Sequence, residues 1–195
     1  ERPASVYLFT RTLEISEAEF YNFFSSFESL ESEFVTDHFK EVTGKLEADK
    51  EVYGKYLARE KFMAFLYSWV EIGKENRSFY CFLEKQERIP VPVPYYFKNV
   101  RPVFLEWANR LIDDAIAAGE IKSRRYISDR YADAMFFQYV YIHKYWLKDN
   151  STGFEKTDAA IEKSVRLIFD LMAQSAIDSA MDIMKFMFQN KPDKA

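Results

Sequence analysis

Helix breakers are scarce in this chain: five glycines and six prolines serve 195 residues, and three of those prolines fall together in "RIPVPVPYY". A backbone with so few interruptions has long stretches in which nothing stops a helix. The one alternating segment, "IPVPVPYY", carries a proline at every second position of its apolar part, which removes the donors a strand ladder needs. The chain is therefore expected to be all-α.

Period and punctuation place the helices. A short one covers about 4–13, and another follows Ser16, an N-cap with Glu19 three residues on, the pattern of a capping box. A third runs from about Ser26 toward Lys45. A long one spans about 52–74, and "NRSFYCFLEK" continues after a kink near Glu75 and Asn76. Pro90 to Pro94 reads as a stiff, extended connection. Beyond it a helix over about 96–118 ends at Gly119, another starts at Ser128 and runs to about Lys148, and a final one spans about 157–188.

Composition narrows the function. Formal charge is −4 and the sequence pI about 5.4, so the molecule as a whole does not attract phosphate. Apolar residues make up 48% of the chain, enough for a substantial core, and no run of 18 apolar residues occurs. With no signal-peptide pattern either, the expected location is cytoplasmic. The single cysteine, Cys81, reads as a buried structural thiol and rules out an internal disulfide. His38, beside Asp37, reads as a solvated surface residue, and His143, among tyrosines in "YVYIHKYW", as a core or interface histidine. Neither has metal-ligand spacing, and there is no Gly-rich phosphate loop and no recognisable nucleophile setting. Catalysis, a metal and a cofactor are not expected. The densest basic run, Lys122, Arg124, Arg125 and Arg130, reads as a solvated helix end.

The segment "SVYLFTRTLEISEAEFYNFFSSFESL" carries the most specific pattern. It resembles, without a gap, the helix-turn-helix signature of the TetR family, S-V-x-x-I-A-x-x-A-G-V-S-x-G-T-F-Y-x-Y-F-x-S-K-E-x-L. Ser5 and Val6 open the match, Ile15 and Ser16 form the turn, Phe20 and Tyr21 take the F-Y pair, Phe23 and Phe24 the Y-F pair, and Ser26, Glu28 and Leu30 close it. The resemblance implies a TetR-like head over residues 1–45 and a helical ligand-binding and dimerisation domain over 46–195. The family carries a helix before this motif, and the sequence begins at "ERPAS", where the second helix should start, so the given sequence is expected to be truncated there or its first helix not represented. A looser resemblance is to TetR-fold lipid-binding proteins of ubiquinone biosynthesis, whose reading head is also disabled.

Matches fall on packing positions, departures on those that meet a duplex. Glu14 stands for the turn glycine, Ala18 for the small glycine, Glu19 for the threonine and Phe27 for the lysine. No Lys or Arg lies between Glu14 and Phe39, and residues 1–35 hold two basic and seven acidic side chains, a net of −5. A reading helix of Ser16, Glu17, Ala18, Glu19, Phe20 and Tyr21, followed by Phe27, would repel phosphate rather than release counterions. DNA binding is therefore in question.

By the same resemblance, a ligand chamber would be walled by Phe62, Phe65, Leu66, Trp69, Phe79, Phe82, Phe104, Trp107 and Leu111 and would take an apolar or aromatic small molecule or a lipid. These rings can equally close as a solid core. The last helix is apolar on more than one face, with Ile161, Val165, Ile168 and Met172 as one stripe, widened by Leu167 and Leu171. Paired with Phe136, Tyr139, Val140 and His143 of the helix before it, it points to a homodimer built on a four-helix bundle, with an all-intramolecular core as the alternative. Three functions follow: a homodimeric ligand binder with a retired DNA head, an ordinary ligand-responsive repressor, or a protein-interaction module that uses Phe23 and Phe27 of the altered head.

Overall fold

The structure is a computed structural model, and it describes residues 2–87, 89, 91–123 and 130–173. Among these every regular element is a helix: α1 (Val6–Thr12), α2 (Glu17–Phe23), α3 (Phe27–Ala48), α4 (Ala58–Gly73), α5 (Arg77–Gln86), α6 (Val100–Ala117), α7 (Tyr131–Lys148) and α8 (Glu155–Ala173).

Local chemistry fixes the starts. Ser5, Ser16 and Ser26 each cap a helix, their hydroxyls accepting from the backbone N–H three residues on. At the end of α6, Gly119 takes φ +75°, where a side chain would be strained. The hinge between α7 and α8 hangs on Asp149, whose carboxylate accepts from the N–H and hydroxyl of both Ser151 and Thr157. Burial alone would raise its pKa, but these bonds hold it well below the usual carboxylate range.

Two boundaries differ from the sequence reading. The long helix begins at Ala58 rather than near Val52, because Tyr53–Lys55 forms a separate 3-10 turn and Leu57 is extended. After the prolines, Tyr95–Phe97 forms another such turn before α6 starts at Val100. The expected start at Ser128, the cations Arg124 and Arg125 and everything after Ala173 lie outside the described residues. A division at residue 45 falls within the last turn of α3, so this one helix serves both head and body.

α4 is the hub, packed against α3, α6, α7 and α8. Its Phe62, Phe65, Leu66 and Trp69 are fully buried, and with Phe104 of α6 and Phe136, Tyr139 and Trp146 of α7 they form the core. Among the described residues no helix is long and apolar enough to cross a membrane.

Candidate functional site

The segment read as a head folds as two short helices joined by a turn. α1 and α2 pack together, and Phe20, 3% exposed, meets Phe9 and Phe27 with ring centroids 6.0 Å away, while Phe9 and Phe27 are 5.4 Å apart. Phe27, expected to serve a protein-interaction module, is half-buried in this aromatic nucleus. The turn also survives without its glycine. Glu14 sits at φ +58°, held by Glu14 N–H donating to Arg11 O at 3.3 Å and Ile15 N–H to Thr10 O at 3.0 Å.

The chemistry on this backbone is acidic and aromatic. Ser16, Glu17, Ala18 and Glu19 are all exposed, with Tyr21 53% and Phe23 80% exposed beside them. Hydrogen bonds from the Ser16 backbone and hydroxyl lower the Glu19 pKa, so it stays ionised. Of the two cations within residues 2–35, Arg2 is taken up by Glu28 and Glu31, each at 2.6 Å, and Arg11 lies over the Tyr7 ring, 5.6 Å from its centroid.

The nine residues expected to wall one chamber do not do so. Phe62, Phe65, Leu66, Trp69, Phe104, Trp107 and Leu111 pack into the core, with Phe65 4.8 Å from Trp107 and Trp69 4.8 Å from Tyr139 between ring centroids. Where a cavity was expected the rings meet one another. Phe79 and Phe82 stand apart on α5, half-buried, and line a separate recess of about 340 Å³ with Phe9, Phe27 and Leu30 of the head.

Two histidines sit inside this core. His38 corrects the surface reading: it is 8% exposed, stacks on Trp69 at 4.0 Å and bonds Tyr80 Oη through Nδ1. His143 is fully buried and its Nδ1 accepts from Trp69 Nε1 at 3.2 Å. Burial pushes His38 down to about 4 and His143 to about 3, so both are neutral near pH 7. Cys81 is half-buried rather than buried.

The residues expected at a dimer interface are also interior. Phe136, Tyr139, Val140, His143, Ile161, Val165 and Met172 are at most 3% exposed and Ile168 is half-buried, all packed in or against the core of the chain. The fully buried ones among them have no surface with which to meet a second copy. The outward face carries instead Phe137, Tyr141, Leu167 and Leu171, which are 43% to 61% exposed, around a shallow cleft of about 460 Å³ lined by Tyr145, Ala159 and Ala160 among others.

Sequence reasoning missed a further cleft of about 390 Å³ between α3, the Tyr53–Lys55 turn, α4 and α6, lined by Tyr53, Trp107 and Leu111. The signal was the Gly54 interruption, which closes a turn under Tyr53 rather than continuing the helix.

Residues 61–187 match the family model described as the tetracyclin repressor-like C-terminal domain. No curated protein and no solved structure matches the chain.

Proposed function

The chain belongs to the TetR family, and on that premise we propose that it is a regulator-type homodimer whose body takes an apolar or aromatic small molecule or a lipid. Its helix-turn-helix head, on this reading, has given up the phosphate grip of a DNA reader. The family membership points to regulation rather than catalysis.

The observation that carries the reading is the first turn of α2. Glu17 and Glu19 stand exposed where a reading helix approaches a duplex, and the first cation after Arg11 is Lys40. Each neutralised phosphate changes the log of the binding constant by about 0.9 per tenfold change in salt. Carboxylates neutralise none, and the positive end of a helix dipole, about 1 kcal/mol at an exposed terminus, does not offset them. Lys40 itself is occupied by Glu33 and Asp37 at 3.2 and 3.1 Å.

Support for a homodimer comes from the outward face of α7 and α8, where Phe137, Tyr141, Leu167 and Leu171 are exposed and Tyr141 and Leu167 border small alanines that let helices approach. Duplex titration tests the reading. It requires no sequence-preferring complex at low or moderate salt, and a palindrome-specific, salt-sensitive complex would restore the repressor.

A further inference from the structure

We propose that the outer side of α2 is a docking surface for a basic protein segment that carries apolar side chains, in its simplest form a cationic amphipathic helix. This goes beyond the ligand-binding body and rests on the reading of the head as one that no longer grips phosphate.

The surface follows from where the period of α2 puts its side chains. Phe20 is buried in the aromatic nucleus of the head, so the residues on the far side of the helix face solvent. Glu17 and Tyr21 are four residues apart and stand one above the other, as do Glu19 and Phe23, and the shorter Ala18 and Asn22 run between these two rows. All of them are exposed. Each outer row pairs a carboxylate with an aromatic ring, and the low row between them is a groove into which the ridge of a partner helix fits. Both rings are braced from behind: Tyr21 meets Phe20 edge-on at 5.3 Å between centroids, and Phe23 lies 6.4 Å from Phe24. Anchors already ordered lose little freedom on binding. Phe27 packs inward against Phe9 and Phe20 and takes no part.

Apolar exposure here is more than a scattered single residue. Tyr21 and Phe23 follow Leu13 and Ile15 of the preceding turn, which are 51% and 39% exposed. Aromatic anchors of this kind carry much of the energy at protein contacts. The charge around them selects the partner. Residues 7–23 hold Glu14, Glu17 and Glu19 against Arg11 alone, a net of −2, and Arg11 is engaged over the Tyr7 ring. An acidic partner is repelled by that rim, whereas lysines or arginines flanking an apolar stripe complement it and are steered toward it. The charges that repel a phosphate backbone are thus the ones that admit a basic protein.

The test titrates the full chain with a leucine–lysine amphipathic helical peptide, followed by backbone amide NMR, with polylysine and a leucine–glutamate helix as the charge-only and reversed-charge comparisons. Saturable shifts centred on residues 17–23 are expected, with affinity roughly 10-fold lower in Phe23→Ala, a change at a side chain that the fold leaves 80% exposed. Glu17→Gln leaves the Ser16–Glu19 pair intact and should weaken binding roughly 2- to 5-fold at low salt and not at high salt. Polylysine should bind at least roughly 10-fold more weakly, the leucine–glutamate helix should not bind, and Leu167→Glu on the face of α8 should leave the affinity unchanged. Shifts centred elsewhere, absence of saturation, or an affinity that Phe23→Ala and Glu17→Gln both leave unchanged overturns the proposal. So does a loss of self-association in Phe23→Ala without peptide, by light scattering, which would assign this face to a second copy. Spectra with a DNA duplex in place of the peptide separate the two levels: saturable shifts of α2 on duplex remove both this surface and the reading of the head, whereas failure of peptide and duplex alike removes the surface only.

Discussion

Ser16 and Glu19 hold each other at the start of α2: the Ser16 hydroxyl accepts from the Glu19 N–H at 3.1 Å, and the Glu19 carboxylate accepts from the Ser16 N–H at 2.7 Å. The residue that best secures the helix start is thus the one that places a fixed negative charge where phosphate would lie. On the proposed reading, folding and DNA contact make opposed demands on position 19, and Glu19 meets the first.

Glu14 sets up the first prediction. It occupies the left-handed region at φ +58°, at a cost to an ordinary L-residue of about 1 kcal/mol. Glu14→Gly is expected to stabilise the head by up to about that amount, seen as slower amide exchange in α1 and α2. Faster exchange would show that the glutamate contributes something the backbone does not reveal.

Gly73 tests the tightness of the histidine core. A Cβ there would lie 3.1 Å from His38 Cε1 and 3.1 Å from Trp146 Cη2, and both rings are held on other sides, His38 by Trp69 and Tyr80, Trp146 by Tyr80 and Phe154. Alanine has the better helix propensity by about 1 kcal/mol, whereas overpacking costs about 1–3 kcal/mol. Gly73→Ala should therefore lower urea stability by about 1 kcal/mol; a more stable variant would mean that the rings can yield.

The histidines predict a pH profile. His38 and His143 titrate at about 4 and about 3 in the fold, below the 6.5 of an unconstrained imidazole, because both are buried. The unfolded chain therefore binds more protons below pH 6.5, so their contribution to stability is full above that pH and is lost as pH falls toward 4. At about 1.4 kcal/mol per unit and per histidine, urea unfolding at pH 5 should show a loss of about 4 kcal/mol relative to pH 7. His38→Gln should remove about half of that difference, and an equal loss in the variant would contradict the assignment.

The outward face of α8 predicts an assembly phenotype. Leu167, 61% exposed, borders the cleft beside Tyr141 and Ala160, and a charge there would be buried in any contact using this face. Leu167→Glu should convert a dimer to a monomer by light scattering, with unchanged helicity by circular dichroism. A persistent dimer would place the interface elsewhere.

Much of the architecture was legible because helix starts and stops are local chemistry: Ser16 with Glu19, Ser26 and Gly119 each act within one turn. What depends on the third dimension was harder to read. Periodicity found the stripe of Ile161, Val165 and Met172 but not which body it faced, and α4 claimed it before any second subunit. His38 was judged by its neighbour Asp37, although Val35, Phe39 and Val42 already put a buried stripe through its position. Tyr53 was absorbed into a helix because apolar residues continue through Val52 and Leu57, while the turn at Gly54 is fixed by Gly54 N–H donating to Asp49 O at 3.1 Å. The same limit applies to the chamber: a list of aromatic residues does not say whether they enclose space or fill it.

The most direct test of the central claim is fluorescence anisotropy of the full-length protein with duplex from upstream of its own gene, at low and moderate salt, beside the double variant Glu17→Lys, Glu19→Lys. The account predicts no complex above the non-specific level for the wild type and a salt-sensitive gain in the variant, which reverses the charge at the cost of the capping bond from Ser16 N–H to Glu19. Tight, sequence-specific binding by the wild type would contradict it and make this chain a working repressor.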